Sequence, residues 1–341
     1  MVPLHDLHHR PLRNLRLSVT DRCNLRCGYC MPEETYTWLQ RADLLSFEES
    51  TALVGELVPH GLERARLTGG EPLLRRDIDQ LVRSLCSLPG LREVALTTNA
   101  LRLPELAADL RRTGLARLTV SLDTLRPDRF LELTRRAELP AVLRGLEAAA
   151  AAGFTGTKLN VVVMRGTNDD ELLDMLDFAR ERDLEVRFIE YMDVGGATRW
   201  NMERVVPATE ILERIGAARG GVAPEDSERT AAPADRFRTG DGQRFGVIAS
   251  TTRPFCGSCD RARLTADGQF ISCLYARAGT PLAPLLRADG ARAAADRIVE
   301  LWSGRTDRGA EERVGLSARE AFAGPGELRE TPHLEMHTRG G

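Results

Sequence analysis

The sequence predicts an α/β protein built on a parallel sheet. Short apolar runs rich in β-branched residues alternate with longer helical patterns over the first two thirds of the chain, the alternation repeats six times, and polar residues gather where the runs end. Strand-then-helix units in series put the strands parallel and the helices outside, as an open doubly wound sheet or a partial (β/α) barrel.

In chain order the strands are LRLSV (15–19), RARLTG (64–69), EVALTTN (93–99), ARLTVSLD (116–123), KLNVVVM (158–164) and EVRFIEYM (185–192). Between them FEESTALVGELV, DIDQLVRSLC, LPELAADLRR, AVLRGLEAAAAAG and DDELLDMLDFARER carry apolar residues at helical spacing. The first strand leads into CNLRCGYC and the second into TGGEP, while the third, fourth and sixth end in TTN, SLD and EYM. Turn formation explains any one of these ends, but five marked ends of six fit the C-terminal face of a barrel, where barrel sites lie. From 216 to 242 the chain reads GAARGGVAPEDSERTAAPADRFRTGDG, so a mobile loop or linker is expected, dividing a barrel over 1–215 from a C-terminal part over 243–341. In that last part QRFGVIASTT reads as a strand, and LAPLLR and ARAAADRIVELW read as helices.

The chain has 341 residues, long enough for two domains and a large core. A net charge of −3 offers no global basic field for nucleic acid, and no apolar run approaches a membrane span, so a cytoplasmic protein is expected. Five of six histidines lie in the first or last nine residues, which argues against histidine-based catalysis. Lys158 is the single lysine among 47 basic residues.

The seven cysteines fall as Cys23, Cys27, Cys30, a lone Cys86, and Cys256, Cys259, Cys273. Two separated triplets suit metal or cluster ligation better than disulfides, and Cys86, within LVRSLCSL, reads as a core thiol. Three thiolates at C-x3-C-x2-C spacing can hold three irons of a [4Fe–4S] cube and leave the fourth iron open, whereas structural zinc wants a fourth Cys or His nearby. The second triplet also offers three ligands, so a second cluster with an open iron is the economical reading, with a zinc half-site shared across a dimer as the alternative.

On strand periodicity Arg16 shares a face with Ser18 and Thr20, Arg66 with Thr68, Lys158 with Asn160, and Arg187 with Ile189 and Tyr191. Arg261 and Arg263 alternate just after Cys259, so an extended segment turns both to one side. If the strand faces point inward, the cations converge, and buried like charges require a polyanionic ligand such as a nucleoside triphosphate. No Walker A loop is present.

The first triplet, Tyr29 before its last cysteine, and Gly69-Gly70-Glu71-Pro72 resemble the radical S-adenosylmethionine (SAM) superfamily. Both triplets together with RFIEYM, PFCGSCDRARLT and the terminal Gly340-Gly341 are similar to one of its families, the GTP 3′,8-cyclases of molybdenum-cofactor biosynthesis. The resemblance implies a partial (β/α)6 TIM-type barrel and a C-terminal domain with a second cluster. It implies two [4Fe–4S] clusters and SAM as cofactors, with a 5′-deoxyadenosyl radical abstracting the ribose 3′ hydrogen of GTP so that the carbon radical attacks C8. By the same resemblance Cys23, Cys27, Cys30, Cys256, Cys259 and Cys273 are the metal ligands, and Tyr29, Gly70, Ser121 and Met192 line the SAM site. Arg16, Arg66, Thr97, Lys158, Arg187, Arg261 and Arg263 fall to GTP, and Arg16, Lys158, Gly340 and Gly341 to catalysis. Implied partners are a reducing donor such as flavodoxin or ferredoxin and a downstream cyclic pyranopterin monophosphate synthase, with the chain a monomer or homodimer. The chain departs from the family pattern at Ala100, where TTNG is usual, at Asp260, where Asn is common, and at Arg339, which replaces an aliphatic residue before the two glycines. A radical SAM enzyme acting on a peptide and a non-catalytic iron–sulfur protein are the competing readings.

Overall fold

The computed structural model describes residues 3–225 and 231–340. Among these residues twelve strands form one mixed sheet: β1 (Asn14–Ser18), β2 (Arg64–Thr68), β3 (Glu93–Thr98), β4 (Arg117–Ser121), β5 (Lys158–Val163), β6 (Glu185–Glu190), β7 (Val222–Pro224), β8 (Asp235–Thr239), β9 (Arg244–Ile248), β10 (Arg261–Leu264), β11 (Gln269–Ile271) and β12 (Thr280–Pro281). Their order is β12-β11-β10-β1-β2-β3-β4-β5-β6-β9-β8-β7. The six expected strands run side by side in sequence order, all parallel, which is consistent with a partial TIM-type barrel.

The sheet also takes in strands from the C-terminal part. β10 adds parallel to β1 and β9 adds parallel to β6, so the parallel run continues past both ends of the six. Outside them β11, β12, β8 and β7 pair antiparallel. The segment 216–242, expected as a loop or linker, instead holds the end of the helix Ala208–Arg219 and the strands β7 and β8. Ladder pairing with β9 and the burial of Phe237 against Phe245 order it in spite of its Gly- and Pro-rich composition. LAPLLR and ARAAADRIVELW form one segment, Ala283–Ser303, broken at Gly290, whose φ of 89° is left-handed.

Helices cover the outer face. Phe47–Leu57 starts at a capping box in which Ser46 accepts from the Glu49 N–H and Glu49 accepts from the Ser46 N–H. Its Leu53, Val54 and Leu57 are buried, as are Leu81, Val82 and Leu85 of Ile78–Cys86. The next residue on that helix, Cys86, is exposed and is not a core thiol, because the buried stripe at helical spacing ends on Leu85. No helix among the described residues is long and apolar enough to cross a membrane.

Candidate active site

A cavity of about 710 Å³ opens on the inner face of the sheet. Arg16, Arg66, Lys158 and Arg187 line it as strand alternation predicts, together with Thr97, Arg261 and Arg263. Register stacks the charges: Arg16 stands opposite Arg66 on β2 and Arg263 on β10, so three arginines form one row across adjacent strands. Like charges side by side on a sheet repel, and burial adds to the cost.

Arg16, Arg66, Arg263 and Lys158 show that cost. Burial and then Arg263, Arg66 and Arg261 hold the Arg16 guanidinium well below its ordinary range. Burial and Arg117 lower Arg66 to about 10, while burial and Arg261 do the same to Arg263. Lys158 falls to about 7 through burial, then Arg187 and Arg117. Arg66 donates to the Thr97 and Thr119 hydroxyls at 3.3 and 3.1 Å, which orient it without cancelling its charge. Arg187 pairs with Glu185 at 2.8 Å, so it brings less net charge than periodicity implied.

Sequence reasoning missed Arg64 and Arg117, which also line the cavity. The same alternation would have found them, since Arg64 lies two residues before Arg66 on β2 and Arg117 two before Thr119 on β4.

Cys23, Cys27 and Cys30 line this cavity, as do Tyr29, Gly70, Ser121 and Met192. The Tyr29 hydroxyl donates to Asp123 at 2.6 Å. Burial raises that carboxyl to about 6 in spite of the bond, and Asp123 in turn accepts from the Val162 N–H. Glu71 of the TGGEP segment, raised by burial to about 7, accepts from the Leu73 and Asn99 N–H groups and the Thr98 hydroxyl and thereby ties the ends of β2 and β3 together. At Gly196 a Cβ would sit 2.1 Å from the Cys30 carbonyl oxygen, so only glycine lets the chain after β6 pass the cysteine loop. Ala100 has a φ of 68°, which explains why glycine suits that position.

Cys256, Cys259 and Cys273 lie on the same cavity, beside Arg261, Arg263 and Arg305. Burial raises the Cys259 thiol, but the Arg261 and Arg305 charges overcome it and bring the group down to about 7. Asp260 is buried, accepts from Asn14, and stands 4.0 Å from Arg261. The N-terminal segment braces this triplet: Arg10, fully buried on Asp6, donates to the Cys256 carbonyl at 3.0 Å, and Trp302 donates to the Arg10 carbonyl. The sequence did not mark Asp6 and Arg10: they pair with each other four residues apart, but the groups they brace, Cys256 and Trp302, lie hundreds of residues away.

The donor chemistry fits clusters. Burial holds Cys23 and Cys273 up at about 11 and Cys27 and Cys30 higher than an ordinary thiol, so these groups stay protonated until a metal takes the proton's place. Among the described residues no three His, Cys, Asp or Glu side chains draw tightly enough together to hold one metal ion.

The tail reaches the same cavity. Arg16 donates to the Gly340 carbonyl at 3.2 Å, and Met336 and His337 line the wall. Gly341 lies outside the described residues.

The model of the Radical SAM superfamily matches residues 17–179, and that of Molybdenum Cofactor Synthesis C matches residues 184–311. The chain is 48% identical to GTP 3′,8-cyclase 3 of Mycobacterium bovis, over 99% of this chain and 91% of that protein. It is 49% identical to GTP 3′,8-cyclase 1 of Mycobacterium tuberculosis, over 100% and 96%. The chain belongs to the GTP 3′,8-cyclase family. A cyclase of this family from Acidothermus cellulolyticus is 44% identical over 99% of both chains. The fold has a counterpart in a solved structure. Streptococcus suis SuiB bound to S-adenosylmethionine superposes with a TM-score of 0.62 at 14% identity, covering 90% of this chain and 69% of that one, a likeness of fold alone.

Proposed function

We propose that this chain is a GTP 3′,8-cyclase in which the row of sheet arginines holds the triphosphate between two cysteine-ligated clusters. The observation that carries this reading is the convergence of Arg16, Arg66, Lys158, Arg261 and Arg263 on one cavity that both cysteine triplets also face. A buried array of like charges is stable only with an anion to match it, and a nucleoside triphosphate matches it in charge.

Cys23, Cys27 and Cys30 would hold one [4Fe–4S] cluster and Cys256, Cys259 and Cys273 a second within a C-terminal cluster region over 243–341. The first cluster with SAM supplies, when bound, the 5′-deoxyadenosyl radical that takes the ribose 3′ hydrogen of GTP. The chain's own part is placement and exclusion of water. Tyr29, Gly70, Ser121 and Met192 form the wall on which SAM rests, with Tyr29 fixed by Asp123. Arg16, Arg66 and Lys158 bind phosphate oxygens from the strand side, with Thr97 orienting Arg66, while Arg261 and Arg263 approach from β10 and Arg187 closes the group at β6. Gly340 brings main chain without a side chain against Arg16, holding that guanidinium on the substrate, and the family resemblance assigns Gly341 to the same task. A reducing donor such as flavodoxin or ferredoxin completes the partners, and the product passes to a cyclic pyranopterin monophosphate synthase.

Lys158 provides the test, since it is the only lysine in the chain. Acetylation of the reconstituted enzyme followed by peptide mapping should show Lys158 protected by GTP. Equal labelling with and without GTP would remove the phosphates from this site.

A further inference from the structure

Arg339 is the residue at which the tail departs from the family pattern, and it is one of the most completely buried side chains in the protein, at 1% exposure. Among the described residues its guanidinium pairs with no carboxylate. It forks onto three main-chain carbonyls: Nε donates to His333, one terminal nitrogen to Leu274 at 2.5 Å and the other to Ala276 at 2.7 Å. Leu274 and Ala276 belong to the turn that begins at Cys273, in which the Ala276 N–H bonds back to the Cys273 carbonyl. His333 belongs to the tail itself. One side chain therefore joins the tail to the loop carrying the last cysteine of the second triplet.

Neighbouring residues extend the same strap to the other triplet. The His337 main chain approaches the Cys30 thiol closely enough to offset part of the rise that burial imposes on it, and Met336 packs on Gly195, where a Cβ would lie 2.7 Å from the Met336 Cβ. Directly after Arg339 comes Gly340, with a φ of 73° and a space so tight that a Cβ would meet the Thr68 hydroxyl at 2.1 Å. The Gly340 carbonyl can meet Arg16 only if the residue before it is fixed, because glycine supplies no side chain to fix itself.

We propose that Arg339 is the positioning residue of the tail: by clamping the carbonyls of Leu274 and Ala276 it holds Gly340 against Arg16 and couples the seating of the tail to the loop of Cys273. An aliphatic side chain at this position would pack in the same space but leave the Leu274 and Ala276 carbonyls without these donors. A lysine would keep the charge yet lack the planar fork, and so would hold fewer of the three acceptors. This inference rests on the tail acting at the GTP site.

The test uses the reconstituted full chain, with Arg339→Leu, Arg339→Lys and a deletion of Gly340 and Gly341, alone and combined. Hydrogen–deuterium exchange across 331–340 reads the clamp directly and without reference to turnover. It should quicken by roughly tenfold in Arg339→Leu, and by less in Arg339→Lys. Turnover of GTP should fall in the order wild type, Arg339→Lys, Arg339→Leu, and Arg339→Leu should add no further loss to the deletion, because both act through Gly340. Unchanged exchange in Arg339→Leu, or losses that multiply with the deletion, would overturn the clamp. If the leucine variant fails to assemble its clusters, the same exchange and cycle on Arg339→Lys decide the matter. A deletion that leaves turnover intact would instead remove the role of the tail, with the exchange result still standing by itself.

Discussion

Lys158 makes binding of GTP dependent on pH in a way that can be worked out from the cavity. Burial and the charges of Arg187, Arg117 and Arg66 bring its ammonium from 10.5 to about 7, with Glu185 opposing them. A bound triphosphate reverses the local field, so the group regains its proton in the complex. The sign follows: the pKa is low in the free site and raised in the complex, so the lysine's contribution to affinity is complete below about 7 and is lost as pH climbs through that value. Each pH unit above it should weaken GTP binding by up to about tenfold, or ~1.4 kcal/mol, until the raised pKa of the complex is reached. The assay is calorimetric titration of GTP into reconstituted enzyme from about pH 7.5 to 9, above the phosphate's own titration, in buffers of different ionisation enthalpy. Wild type should take up close to one proton per GTP near pH 8. Lys158→Met should bind more weakly and take up none, and its affinity should be flat across the range. Proton uptake that persists in Lys158→Met would assign the titration to another group, and no uptake in wild type would refute the argument.

Other outcomes follow from the same geometry. Lys158→Arg should impair turnover despite keeping the charge, since a planar fork replaces a slim stem among Arg66, Arg117 and Arg187; normal steady-state rates would show the site to be roomier than its packing implies. Iron and sulfide should each approach about eight per chain, and Cys273→Ser should lose about four of each while SAM cleavage without GTP survives; stoichiometric zinc would contradict both triplets as cluster ligands. Asp193→Asn should lower stability by about 3–5 kcal/mol, read as a fall in Tm, because the buried carboxylate accepts from Tyr275, Arg313 and Arg319 together. Ala100→Gly should raise stability by about 1 kcal/mol, since φ is 68° at this buried alanine; an unchanged Tm would mean that neighbouring packing already offsets the left-handed backbone.

The strands and their inward faces were legible because alternation with a period of two is a local signal. Arg16, Arg66, Lys158 and Arg187 could be placed on a common face from their own neighbours, and the structure puts all four on one cavity. Lateral register was not legible, since it depends on which strands adjoin. That Arg263 stands beside Arg16 follows only from β10 pairing with β1 across more than two hundred residues. The strands within 216–242 were hidden by composition, because β7 and β8 owe their order to a neighbour, β9, more than to their own propensity. Cys86 misled for the opposite reason: its surroundings in sequence are apolar, yet it falls one position beyond the buried stripe of its helix. Ion clusters such as Asp6–Arg10–Arg305 and the Arg339 fork join chain ends that no local pattern connects.

The central claim is tested most directly by anaerobic reconstitution followed by incubation with SAM, a strong reductant and GTP deuterated at the ribose 3′ position, with the products read by mass spectrometry. The account predicts deuterated 5′-deoxyadenosine together with a GTP-derived product of the 3′,8-cyclised skeleton. Deoxyadenosine without deuterium, while GTP is recovered unchanged, would contradict it.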